Sequence, residues 1–170
     1  MIRRLAAAGY RGVPGALLAL ALGLAAPALA GGFHGDGPIR VDSQGVAVKG
    51  YDLVAYFREG RPRRGLPEFE HRFSGARFRF ASAAHRDLFA QEPEKYLPAF
   101  GGYCALGVAN GYKDDMDPHA FEIVEGRLYF NLTPRIHAGW SRHKQRLIPR
   151  AERNWPALRD APGYGPRDAR

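Results

Sequence analysis

From residue 46 onward the hydrophobic and polar positions switch between two periods. Phe69, His71 and Phe73 alternate with Glu70 and Arg72, the period of two of a half-buried strand. Ser74-Gly75 makes a turn, and the chain returns with Phe78 and Phe80 inward, so residues 68–80 predict a hairpin. The pattern recurs around Glu125-Gly126, where Phe121, Ile123, Leu128 and Phe130 are the expected core side of a second hairpin. Elsewhere the period is helical. Asp52 is placed to cap a helix of one or two turns through Phe57, or to point its carboxylate into a site. Ser82 caps a helix over 83–91 with His85, Leu88 and Phe89 on one face. Thr133-Pro134 opens a long helix with Ile136, Trp140, His143 and Leu147 as its apolar stripe. Pro149 is expected to break it, leaving Ala151, Trp155 and Leu158 on a short final helix. Short antiparallel pieces separated by helices predict a small single α+β domain of hairpins packed with helices. Phe78, Phe80, Phe89, Leu106, Phe121, Leu128, Phe130 and Trp140 are the expected members of one core.

The single cysteine lies in the stretch Phe100-Gly101-Gly102-Tyr103-Cys104-Ala105-Leu106-Gly107-Val108-Ala109-Asn110-Gly111. Tyr103, Leu106 and Gly107 fall on one helix face, and Asn110-Gly111 is a C-terminal stop, so a short helix is predicted with Cys104 in its first turn. A thiol there is expected to be more acidic than a free one, because unpaired N–H groups and the helix dipole favour the anion, unless burial opposes them. The alternative is a small buried hydrophobe in a helix contact. His71 lies on the apolar side of its strand, where a satisfied structural histidine is the simpler reading. Asp114, Asp115 and Asp117 lack calcium-loop spacing and read as an ordinary acidic loop.

Composition adds an address. Arg3, Arg4 and Arg11 precede an apolar run over 16–26 and an Ala28-Leu29-Ala30 cleavage pattern. Residues 1–30 therefore read as a secretory signal peptide, too short in its apolar run to span a membrane. Arg3-Arg4 raises the twin-arginine route. Residues 31–45 read as a flexible leader, 46–158 as the domain and 159–170 as a disordered tail. Cleavage after Ala30 lowers the formal charge by three, from +8 to +5. The expected compartment is the periplasm or the exterior. An envelope protein or a metal ion is then the expected partner rather than nucleic acid, and the chain is not expected to be an integral membrane protein. One cysteine in an oxidising compartment cannot close an internal disulfide.

Residues 73–85, followed by Phe89, Pro93 and Lys95-Tyr96, resemble the YHS domain family. Gly50-Tyr51-Asp52-Leu53-Val54-Ala55-Tyr56-Phe57, Gly101-Gly102-Tyr103-Cys104-Ala105, Gly126-Arg127-Leu128-Tyr129-Phe130-Asn131 and Asn154-Trp155-Pro156 resemble its exported long form, so the likeness covers residues 46–158. The resemblance implies a YHS-like α+β fold and binding of a metal ion or metal cofactor of the copper or zinc class. It carries no activity. The chain departs from the pattern where Ala81 and His85 stand in the two cysteine positions and Arg79 where the naming histidine can occur. A two-thiolate site is thereby excluded, which leaves Cys104 with His85 as candidate ligands. Tyr51, Asp52, His71, Gly102, Tyr103 and His119 are the candidate neighbours of that site. Two other readings stay open: a non-catalytic interaction domain with a structural Cys104, and a thiol-dependent enzyme using Cys104 as nucleophile.

Overall fold

In the computed structural model the described residues are 37–162; the expected signal segment 1–30, the expected leader as far as residue 36 and the expected tail from 163 lie outside them. Asp52 caps α1 (Leu53–Arg58) as its sequence position predicts, its side chain accepting from the N–H groups of Val54 and Ala55. Strands β1 (Leu66–Phe73) and β2 (Ala76–Phe80) pair antiparallel around Ser74-Gly75, with His71 opposite Phe78 and Phe73 opposite Ala76. Ser82 caps α2 (Ala83–Gln91) through the His85 N–H, and Pro93 opens the single turn α3 (Pro93–Tyr96). A 3-10 turn over Ala99–Gly102 leads to α4 (Ala105–Ala109). Strands β3 (Asp117–Val124) and β4 (Arg127–Asn131) form the second antiparallel hairpin, and α5 (Pro134–Leu158) closes the described chain. Among the described residues five α-helices and two hairpins make a small α+β domain, as the alternating periods predict.

The apolar residues divide into two clusters rather than the one core expected. The first gathers Phe78, Phe80 and Phe89 with Tyr56, Leu128 and Phe130; the second gathers Trp140, Tyr129, Phe100, Tyr103, Leu147 and Ala151. Strand β4 separates them, because Leu128 and Phe130 face one cluster while Tyr129 faces the other, and all three are buried. A strand covered on both faces loses the alternation of burial that a half-buried hairpin shows. Leu106 and Phe121 are only partly buried rather than inside the core as expected, and Ile123, expected on the core side, is exposed beside the turn of its hairpin.

Helix α5 differs more from expectation. It runs 25 residues, straight past Pro149 and Pro156. Both prolines face solvent, so the missing N–H and the ring clash fall on the exposed side. The inward side stays apolar through Trp140, Leu147 and Ala151 to Trp155 and Leu158, and packing of that side against α4 holds the turns together. Asn154 adds a polar tie, donating to the carbonyls of Val108 and Ala109 at the end of α4. His143 lies on the exposed face rather than the apolar stripe.

The described part of the leader is docked, not loose. Val41 bridges to Ala47, and Arg40 is buried, its N–H bonding the Gly101 carbonyl and its guanidinium pairing with Asp115 at 2.8 Å. This strap explains the glycine at 101. Its φ is +61°, and a Cβ there would collide with the Pro38 carbonyl. The start of the expected tail is held as well, since the buried Lys113 ammonium donates to the carbonyls of Arg159 and Ala161 beyond the end of α5.

Candidate functional site

Helix α1 and the β2–α2 junction meet at one buried carboxylate. Asp52 is 0% exposed. One oxygen accepts from the Val54 and Ala55 N–H groups at 2.9 and 3.2 Å. The other accepts from the Ala81 N–H at 2.8 Å and from His85 Nδ1 at 2.7 Å. Those four donors fill the acceptor sites of an ionised carboxylate, which is what allows a charge to be buried in an apolar cluster. Because the carboxylate can only accept, Nδ1 of His85 carries the hydrogen. In a neutral ring the lone pair then lies on Nε2. His85 keeps 17% of its side chain exposed. The cap expected of Asp52 is present on one oxygen, and the other oxygen orients an imidazole.

Cys104 sits in a different setting. It is the residue before α4, one place earlier than predicted, and is 2% exposed. Burial pushes its thiol pKa up, against the N–H groups of Gly107, Leu132 and Leu106 that favour the thiolate, and the nearby Asp114 charge adds to the rise. The expected acidic thiol is thereby overturned: desolvation outweighs the helix end. Its polar partner is Asn131 Oδ1 at 3.8 Å, which also takes the Leu106 N–H at 3.4 Å. Asn131 is fully buried, and its amide lies 3.4 Å from Nδ1 of His137, which stacks on Trp140.

The partners of Cys104 and of His85 are separate sets, so no contact joins the two residues proposed as joint ligands. Of the candidate neighbours, Asp52 meets His85 and Tyr51 meets His119, ring centroids 5.9 Å apart, beneath the Arg64 guanidinium at 4.4 Å from the Tyr51 ring. His71 lies edge-on to Phe89 at 5.8 Å. Gly102 is buried with φ +88°, and the Tyr103 hydroxyl donates to the Gly37 carbonyl at 3.1 Å. Tyr56, close to Asp52 and Asp117, donates to the Pro118 carbonyl, and burial pushes its hydroxyl well above the usual tyrosine range. A cleft of about 450 Å³ opens elsewhere, between Phe100, Trp155, Lys95 and Arg127, and neither His85 nor Cys104 lines it.

Asn131, His137 and Lys113 were not expected at functional or structural centres. Asn131 alone had a visible signal, as the polar residue that follows the apolar run Leu128-Tyr129-Phe130. Among the described residues, no group of three or more His, Cys, Asp or Glu is placed to hold a metal ion. The chain matches no family model, no curated protein and no solved structure in the comparisons made.

Proposed function

We propose that the chain is an exported, YHS-like, non-catalytic binding domain that offers His85 as a single oriented donor to an ion of the copper or zinc class, the ion's other ligands coming from its partner. The observation that carries this reading is the 2.7 Å contact between His85 Nδ1 and the saturated Asp52 carboxylate. A carboxylate on one ring nitrogen is the arrangement that fixes the tautomer of metal-ligating histidines and raises the basicity of the other nitrogen. Burial of Cys104 and its raised pKa favour a structural thiol over a ligand or nucleophile.

Titration of the exported chain with a copper(II) complex that keeps open coordination positions, such as copper nitrilotriacetate, tests the proposal, the chelator standing in for the partner's ligands. One binding site is expected in the wild type that is unchanged in Cys104→Ser, lost in His85→Ala, and weakened about 10- to 100-fold in affinity in Asp52→Asn. A binding stoichiometry that His85→Ala leaves unchanged, or loss of a site in Cys104→Ser but not in His85→Ala, would overturn it.

A further inference from the structure

Helix α5 carries six Lys or Arg residues and one carboxylate, Glu152. Five of the cations share one line. Arg135, Arg142, Arg146, Arg150 and Arg153 are separated by seven, four, four and three residues, and at 3.6 residues per turn they fall within an arc of about 80°. All five are exposed, and His143 flanks them. Among the described residues none of the five forms an ion pair, although the other charges nearby are matched: Lys144 with Glu122, and Glu152 with Arg127 at 2.7 Å. The stripe is about 27 Å long at 1.5 Å per residue, and it lies opposite the face that packs on α4.

Five unneutralised guanidinium groups along a ridge repel one another, and a helix gains nothing in stability from like charges four residues apart. Their complement is an extended anionic partner. The shape of the surface selects which one. A single exposed helix face is convex, whereas a peptide or a single strand is held best in a groove, and none of the five arginines lines the cleft described above. The line carries no aromatic side chain on which a base could stack, which single-stranded nucleic acid sites use. A flat array of phosphates meets a convex ridge along its whole length, and each guanidinium can fork onto a phosphate. We infer that the outer face of α5 docks the domain on the anionic headgroup surface of a lipid bilayer. The contact is peripheral, since no described helix is long and apolar enough to cross a membrane.

Co-sedimentation of the full chain with vesicles tests this inference. The probes are vesicles of phosphatidylglycerol with phosphatidylcholine, vesicles of phosphatidylcholine alone, and soluble heparin. Three variants are compared with the wild type. In one the five arginines are all changed to Gln; in another they are all changed to Lys; in the control Arg58, Arg61, Arg63, Arg72 and Lys95, exposed elsewhere, are changed to Gln. Residues 1–36 are common to every chain, so they do not contribute to the differences. The wild type is expected to bind the anionic vesicles at low salt and to leave them at high salt. The Gln variant is expected to lose affinity by on the order of a hundredfold or more, with the Lys variant and the control close to wild type. Melting temperatures check that each variant is folded, and retained binding in the Lys variant separates charge from fold. Equal loss in the control, undiminished binding in the Gln variant, equal binding to uncharged vesicles, or binding to heparin without binding to vesicles would each overturn the inference.

Discussion

The two clusters on either side of β4 each bury a polar centre, and they do so by opposite means. On the hairpin side Asp52 buries a full charge and offsets its desolvation with four donors, two from its own helix and two from the β2–α2 junction. On the α5 side Cys104 buries a neutral group with a long contact to Asn131, and the cost of desolvation appears as a raised pKa. The first centre ties together elements 29 and 33 residues apart in the chain and aims an imidazole. The second fills space at the start of a five-residue helix. Reactivity is commonly sought at a lone cysteine. Here the oriented, partly exposed group is the histidine, and the cysteine is enclosed.

This contrast is broken most directly at Asp52. Asp52→Ala orphans three N–H groups and one imidazole, two of those N–H groups fully buried, at about 1–3 kcal/mol each, so denaturant unfolding is expected to show a loss of about 4 kcal/mol or more. A loss under about 1 kcal/mol would mean that water replaces the carboxylate and that the centre is not closed. Phe89→Ala comes next. Phe89 is fully buried against Phe78 and Phe80, with ring centroids 4.9 and 5.0 Å away, and its truncation is expected to cost about 3–5 kcal/mol. The same unfolding measurement reads it, and a much smaller cost would show that the first cluster collapses around the gap.

Cys104→Ser should have the smallest effect. The new hydroxyl would find Asn131 and three backbone N–H groups already facing it, so the loss is expected near the low end of the range of about 1–3 kcal/mol for a buried hydroxyl. Its signature is in the pH dependence. The folded thiol holds its proton more tightly than the unfolded one, so the stability this contributes is complete below the unfolded pKa of about 8.5. That stability is lost as pH rises from there toward the folded value. Between pH of about 8.5 and about 9.5, where unfolded tyrosines still keep most of their protons, unfolding free energy should fall more steeply in the wild type than in Cys104→Ser. Equal slopes would mean that the thiol is not desolvated as its burial indicates.

Local chemistry was legible in the sequence, and long-range pairing was not. The caps at Asp52, Ser82 and Thr133 and the turns at Ser74-Gly75 and Glu125-Gly126 depend on neighbours within four residues, so composition and period determined them. The α+β class followed from the alternation of those elements. Which residues meet across the fold depended on packing. Asp52 could be read as a cap from its position, but its bond to His85 exists only because α1 packs on α2. Cys104 could be placed at a helix start, but the sign of its pKa shift was decided by how deeply tertiary packing enclosed it. Pro149 reads as a helix breaker within its own turn, and only the apolar side held against α4 shows why the helix continues. The physical reason is the same in each case: hydrogen bonds between near neighbours are set by chain geometry, whereas desolvation is set by everything that surrounds a group.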